Sequence, residues 1–200
     1  MRQKLLTSRS EILIAAADLF SRNGYHSTSM QDVAERLAVS KPTLYASFGN
    51  KEALLSESID FWLEAAEQAL VGSLEAEGGP RERIRALVHA WSQNAAAHRN
   101  FYLVFLSESR DFPAAITQRH RKWSRSALRR IRNCVRDGQS LGVFRADADP
   151  IVMAFSVVSF INAIPQWFDP RGELSIQDVA GQFVTLLEGG LLARRKAARP

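Results

Sequence analysis

Apolar residues recur at spacings of three and four almost from end to end of the chain, and no stretch alternates apolar and polar positions as a half-buried strand does. The pattern predicts an all-α protein of about nine helices. The first starts at Ser8, where Ser8 and Glu11 have the spacing of a capping box, and it presents Ile12, Ala15, Ala16, Leu19 and Phe20 on one face. Asn23-Gly24 is expected to stop it through a left-handed cap. Ser29 and Asp32 repeat the capping spacing before a short helix with Val33, Ala34 and Leu37 turned inward. Ser40 can cap a third helix, Lys41 to Phe48, buried through Leu44 and Phe48. After Gly49-Asn50 a long amphipathic helix is predicted from Lys51 toward Glu77.

Gly78-Gly79-Pro80 is the clearest break in the sequence. Beyond it the spacing predicts a helix from about Arg81 to His98, a short apolar one around Phe101–Ser109, and a long basic one from Pro113 to Asp137. Gly138 to Asp149 reads as a loop. Pro150 suits a helix start and opens an almost wholly apolar helix, 151–164, which Pro165 is expected to end or kink. Ser175 and Asp178 open a last helix carrying Val179, Phe183, Val184, Leu187 and Leu191, and the tail from Arg194 to Pro200 is expected to fray.

Charge changes this picture little. Lys and Arg exceed Asp and Glu by 26 to 21, a net +5, which favours a polyanionic partner only mildly. Residues 1–50 hold six basic and four acidic side chains, whereas 119–136 hold eight basic ones and no acid before Asp137. The single Cys134 excludes an intrachain disulfide and a thiolate zinc site, and fits a reducing compartment. The first ten residues have too short an apolar run for a signal peptide, and Ile151–Ile164 falls short of the roughly 18–20 residues of a membrane span. A cytoplasmic protein without a membrane partner is expected.

The candidate chemistry lies in the two short helices joined by Ala38-Val39-Ser40. So short a connection makes them cross, as in a helix-turn-helix whose second helix enters the major groove. Burial of Leu44 and Phe48 turns Lys41, Thr43, Tyr45 and Ser47 outward. Lysine suits a phosphate or guanine, the Tyr and Ser hydroxyls suit phosphate oxygens, and the Thr methyl suits a thymine methyl. Pro42 costs little in a first helical turn and offers an apolar edge. The same pattern also describes a plain packing corner of a helical protein.

The stretch from Asn23 to Leu55, with Ala15, Ala16, Leu19 and Phe20 upstream and the run Leu44-Tyr45-Ala46-Ser47-Phe48-Gly49-Asn50-Lys51, resembles the DNA-binding domain of the tetracycline-repressor (TetR) family of transcriptional regulators. The resemblance spans Ser8 to about Gln68 and implies double-stranded operator DNA as a partner. It implies that Ser29 and Gln31 touch backbone and a base, that Ser40, Lys41, Pro42, Thr43, Tyr45, Ala46 and Ser47 form the recognition surface, and that Lys51 clamps a phosphate. Two departures stand out. Ala38 occupies the position of a turn glycine in many relatives, suggesting a turn without a strictly positive φ, and Ala46 and Ser47 are smaller than the groups many members carry there.

Beyond residue 80 the resemblance is weaker and rests on Gly142–Pro150 and Leu186–Leu191. It implies that residues 80–193 bind a small-molecule effector and form a homodimer. The apolar 151–164 helix and the glycines 181, 189 and 190 suit a two-fold four-helix interface. Trp91, His98, Tyr102, Phe105, Trp123, Phe155, Asn162 and Trp167 are the candidate effector contacts, with core packing the plainer role for each aromatic ring and a cross-dimer bond the alternative for Asn162. Arg121, Arg125, Arg129, Arg132 and Arg136 form one stripe, either a solvated face or a cradle for an anionic effector such as an acyl-coenzyme A. Neither a cofactor nor a metal is expected, and no arrangement of catalytic residues points to an enzyme. The expected function is a ligand-released repressor on a palindromic site, with an activator of the same fold, or a helical protein that does not bind DNA, as alternatives.

Overall fold

The computed structural model describes residues 8–191, except for the side chain of Leu191, and among these every regular element is an α-helix. The expected fraying of the tail falls outside them. The helices are α1 (Arg9–Asn23), α2 (Met30–Arg36), α3 (Lys41–Phe48), α4 (Lys51–Leu74), α5 (Pro80–Ala97), α6 (Arg99–Glu108), α7 (Ala114–Ser140), α8 (Pro150–Trp167) and α9 (Ile176–Leu191).

The chain divides into two compact units. The first holds α1 to α3, α4 as far as Ala65, and residues 98–120, which include all of α6. Its core is built by Ala16, Phe20, Val33, Leu44, Leu54, Leu55 and Ile59, each at most 1% exposed. Ser8 closes α1 with Glu11 and Ser29 closes α2 with Asp32, so both predicted capping boxes form. At its far end α1 departs from expectation. Gly24 has φ 88° but ψ 148°, so the backbone leaves the helix extended, and the Gly24 carbonyl turns to accept from the Thr28 amide and hydroxyl.

The second unit comprises residues 66–97 and those from 121 onward. In it α5 packs on α8 and α9, and Leu87, Val88, Trp91, Ala154, Val157, Ile161 and Val184 are buried. Two helix ends differ from the sequence pattern. Helix α7 continues to Ser140 through Gly138, because the missing side chain there receives the Phe144 ring. The following loop is braced by Gln139, whose amide nitrogen donates to the carbonyls of Arg145 (2.9 Å) and Ala148 (2.7 Å). Helix α8 runs on through Pro165, which lies in its last turn, where the lost amide forfeits one bond and the Phe168 amide closes the end on Ile164. At 18 residues and a mean hydropathy of 1.4, α8 therefore does reach the length and composition of a membrane-crossing helix, contrary to the sequence estimate. Its Ala154, Val157, Ile161 and Ile164 are buried against protein.

Candidate nucleic-acid interface

The helix-turn-helix is built from local rules. Helix α2 starts at Ser29, whose hydroxyl accepts from the Asp32 amide (3.2 Å) while the Asp32 carboxylate accepts from the Ser29 amide (2.7 Å). The Ser29 amide, joined by the Ser29 hydroxyl donating at 2.8 Å, holds the Asp32 carboxyl below its usual range. Helix α2 ends in paired reverse bonds, from the Val39 amide to the Ala34 carbonyl (3.0 Å) and from the Ala38 amide to the Glu35 carbonyl (3.1 Å). This closure needs a left-handed residue between the two. Ala38 supplies it at φ 52°, so the expectation of a turn without positive φ is overturned; the side chain costs about 1 kcal/mol there relative to glycine.

Ser40 then caps α3, accepting from the Thr43 amide, with Pro42 in the first turn. Leu44 and Phe48 are 0% and 4% exposed, whereas Lys41, Pro42, Thr43, Tyr45, Ala46 and Ser47 all face solvent. The Thr43 hydroxyl lies 2.6 Å from that of Ser40, which leaves its methyl as the free group. The Ser47 hydroxyl donates to the Thr43 carbonyl (3.0 Å), and the Lys41 ammonium lies 5.9 Å from the Tyr45 ring centre. Gln31 is exposed on α2 and donates to Glu35 (2.7 Å).

Two side chains hold this surface in ways the sequence did not reveal. Arg9 reaches from α1 to the Ser47 carbonyl at the end of α3 (3.3 and 3.4 Å), bonds Glu57 of α4 through Nε (2.8 Å), and covers the Phe48 ring. The ammonium of Lys51, expected as a phosphate clamp, donates to the carbonyls of Tyr25, His26 and Thr28. Sequence spacing carried no signal for either contact, since each joins elements 23 or more residues apart.

The candidate effector contacts fall into three groups. His98, Tyr102 and Phe105 lie in the first unit, His98 in a ring group with Phe61 and Phe101, and Tyr102 and Phe105 in another around Trp62. Tyr102 and Phe105 pack on Trp62 (4.7 and 5.8 Å between ring centres), Phe105 meets His120 at 3.8 Å, and His98 meets Phe61 at 5.7 Å. Burial pushes the Tyr102 hydroxyl up to about 12, drives His120 down to about 4, and lowers His98, so both imidazoles are neutral at pH 7. Trp91 and Trp123 lie in the second unit, where their indole N–H groups donate to the Ala66 carbonyl (3.0 Å) and to Glu67 (2.9 Å). Phe155, Asn162 and Trp167 stand exposed on α8. A further shallow cleft, open to solvent, lies in the second unit between α5, Phe144 and α9, and includes none of the candidate residues. Glu188 there binds both Arg81 and Arg85, which hold its carboxyl at about 2.

Two family matches decide the kinship of the chain. Residues 12–57 match the bacterial regulatory proteins of the tetR family, and residues 77–191 match the tetracyclin repressor-like C-terminal domain. The chain belongs to the TetR family. It is thus a DNA-binding transcriptional regulator, from a family of regulators rather than of enzymes. TetR-family relatives extend over nearly the whole chain. The transcriptional repressor KstR2 of Mycolicibacterium smegmatis is 26% identical over 92% of this chain and 90% of its own. The crystal structure of the TetR-family regulator PfmR from Thermus thermophilus superposes with a TM-score of 0.82 at 30% identity, over 90% of this chain and 97% of that one. AibR, solved with isovaleryl coenzyme A and operator DNA, shares the fold with a TM-score of 0.77 at 24% identity, over 89% of this chain and 96% of that one.

Proposed function

We propose that the protein is a homodimeric repressor that sits on a palindromic operator through two copies of α3 and is released by a small-molecule effector. The observation that carries this reading is the bare outer face of α3, where every side chain other than the two packed anchors, Leu44 and Phe48, is exposed. In a two-fold dimer the paired helices enter successive major grooves about one helical turn apart. Tyr45 and Lys41 then supply phosphate and guanine contacts, the Thr43 methyl and Pro42 supply apolar ones, and Ser29, Gln31, Ala46 and Ser47 line the same face.

Dimerisation is assigned to α8 and α9. On α8, Val152, Phe155, Ser159 and Asn162 follow one another at helical spacing and are all exposed, as are Trp167 and, on α9, Leu186. An apolar face of this kind is stable in water when a second copy covers it. Phe155, Asn162 and Trp167 accordingly fit the interface better than an effector pocket.

The effector is proposed to lie among the rings of the aromatic group of Tyr102 and Phe105 around Trp62, with His98 on the same unit, in a domain taken to begin near residue 80. Separately, within the second unit and among the described residues, Arg121, Arg125, Arg129 and Arg136 are exposed on α7 with no ion pair, a stripe that suits an anionic ligand in its own right; the complex of AibR with isovaleryl coenzyme A is a precedent in this fold for a coenzyme A ester as effector. The protein is proposed to act in the cytoplasm.

Sequencing the duplexes retained by the purified protein from random fragments tests the DNA reading. A recovered two-fold motif supports it, and retention of no fragment at low salt defeats it. Titration with acyl-coenzyme A, followed by tryptophan fluorescence and by loss of the selected duplex, tests the effector class.

A further inference from the structure

The loop that leads from α1 into α2 is gripped from both sides by groups outside the helix-turn-helix. On one side the Lys51 ammonium donates to the carbonyls of Tyr25 (3.0 Å), His26 (3.2 Å) and Thr28 (3.0 Å), with the Tyr25 ring centre 4.6 Å away. An ammonium has three N–H donors, so these carbonyls use all of them. On the other side, Glu108 at the end of α6 accepts the Tyr25 amide at 2.6 Å. The carboxylate comes close to Gly24 as well, where a Cβ would stand 2.9 Å from Glu108 Oε1.

The loop thus has its carbonyls held by a cation and its amide by an anion, with the Tyr25 ring set edge-on between Phe20 and Phe112. The next residue after Thr28 is Ser29, the cap of α2, and α2 packs on α3. Whatever sets residues 24–28 therefore sets the pose of α3. Glu108 also lies three residues beyond Phe105 on α6, so a shift of the aromatic cluster shifts the carboxylate.

We propose that Glu108 and Lys51 are the two halves of one clamp that positions the recognition helix, and that neither touches DNA. This rests on the reading of α3 as the DNA-contacting surface, and it replaces the phosphate contact that resemblance implies for Lys51.

The test uses the full chain and a duplex selected by the wild-type protein, titrated over a range of KCl concentrations. A direct phosphate contact contributes about 0.9 to the slope of log K against log salt. Lys51→Met and Glu108→Ala should each weaken binding about tenfold, as loss of a charged hydrogen bond does, with the slope unchanged. Glu108→Gln, which keeps an acceptor in place, should recover most of that loss. Hydrogen exchange supplies a measurement independent of DNA: protection over residues 24–30 should fall in Glu108→Ala while α9 stays as protected as in wild type. A slope lowered by about one in Lys51→Met overturns the proposal in favour of a phosphate contact. Wild-type affinity and protection in Glu108→Ala overturn it as well. If the wild-type protein selects no duplex, the DNA reading fails, and exchange still decides the clamp.

Discussion

The guanidinium carbon of Arg9 lies 4.4 Å from the centre of the Phe48 ring, so the first residue of α1 stacks on the last residue of α3. The same guanidinium donates to the Ser47 carbonyl, where the negative end of the α3 dipole gathers. Arg9→Ala should weaken the selected duplex several-fold. Its exposure keeps the stability loss to about 1 kcal/mol. Operator titration and urea unfolding measure the two effects, and wild-type values in both would show that α3 is set without Arg9.

Tyr45 is 41% exposed and its side chain anchors nothing in the core. Tyr45→Ala should therefore leave stability within about 0.5 kcal/mol of wild type while reducing affinity for the selected duplex. An unaltered dissociation constant would remove Tyr45 from the interface.

Gly138→Ala sets two effects against each other. In an exposed helix interior the change gains about 1 kcal/mol. Here the added methyl would stand 2.1 Å from the Phe144 ring, and overpacking of this kind costs about 1–3 kcal/mol. The clash should win, lowering the denaturation midpoint, and Phe144→Leu in the same chain should restore part of it. A stabilised single variant would show that the loop moves aside freely.

His120 titrates at about 4 because burial disfavours its charged form. The unfolded chain, with an ordinary value of about 6.5, binds the proton first as pH falls. The stability contributed is fully present above that value and declines as pH drops from about 6.5 toward 4, by up to about 2 kcal/mol at pH 5. His98 acts in the same direction. Glu188, held at about 2, adds a loss only below the ordinary carboxylate range. Urea unfolding at pH 7.5 and 5.0 should show the drop, and His120→Phe should flatten it; an equal drop in that variant would assign it elsewhere.

Phe155 and Val152 are each 53% exposed on one face of α8. Phe155→Glu should convert a dimer to monomers in sedimentation without unfolding them, and should weaken binding to a two-fold duplex. A dimer that persists would move the interface to another face.

Most of the fold was legible because it is locally encoded. Ser8 with Glu11, Ser29 with Asp32, and Ser40 before Pro42 fix three helix starts from neighbours in the chain, and Leu44 with Phe48 fixes which face of α3 is left bare. The continuation of α7 was not legible, because a glycine reads as a break until Phe144 is seen to fill its place. Nor was Ala38, whose positive φ follows from the backbone bonds that close α2 rather than from its side chain.

Periodicity and capping act over three or four residues, and so the helices, their caps and the outward set Lys41, Thr43, Tyr45 and Ser47 are written into neighbouring positions of the chain. What the long polar side chains do is settled in the folded molecule. Lys51, Arg9 and Glu108 could each have reached solvent or a phosphate, and the carbonyls and amide that hold them come from segments 23 to 83 residues away. A flexible charged side chain takes the nearest group that satisfies its hydrogen bonds, and only the folded chain brings that group within reach.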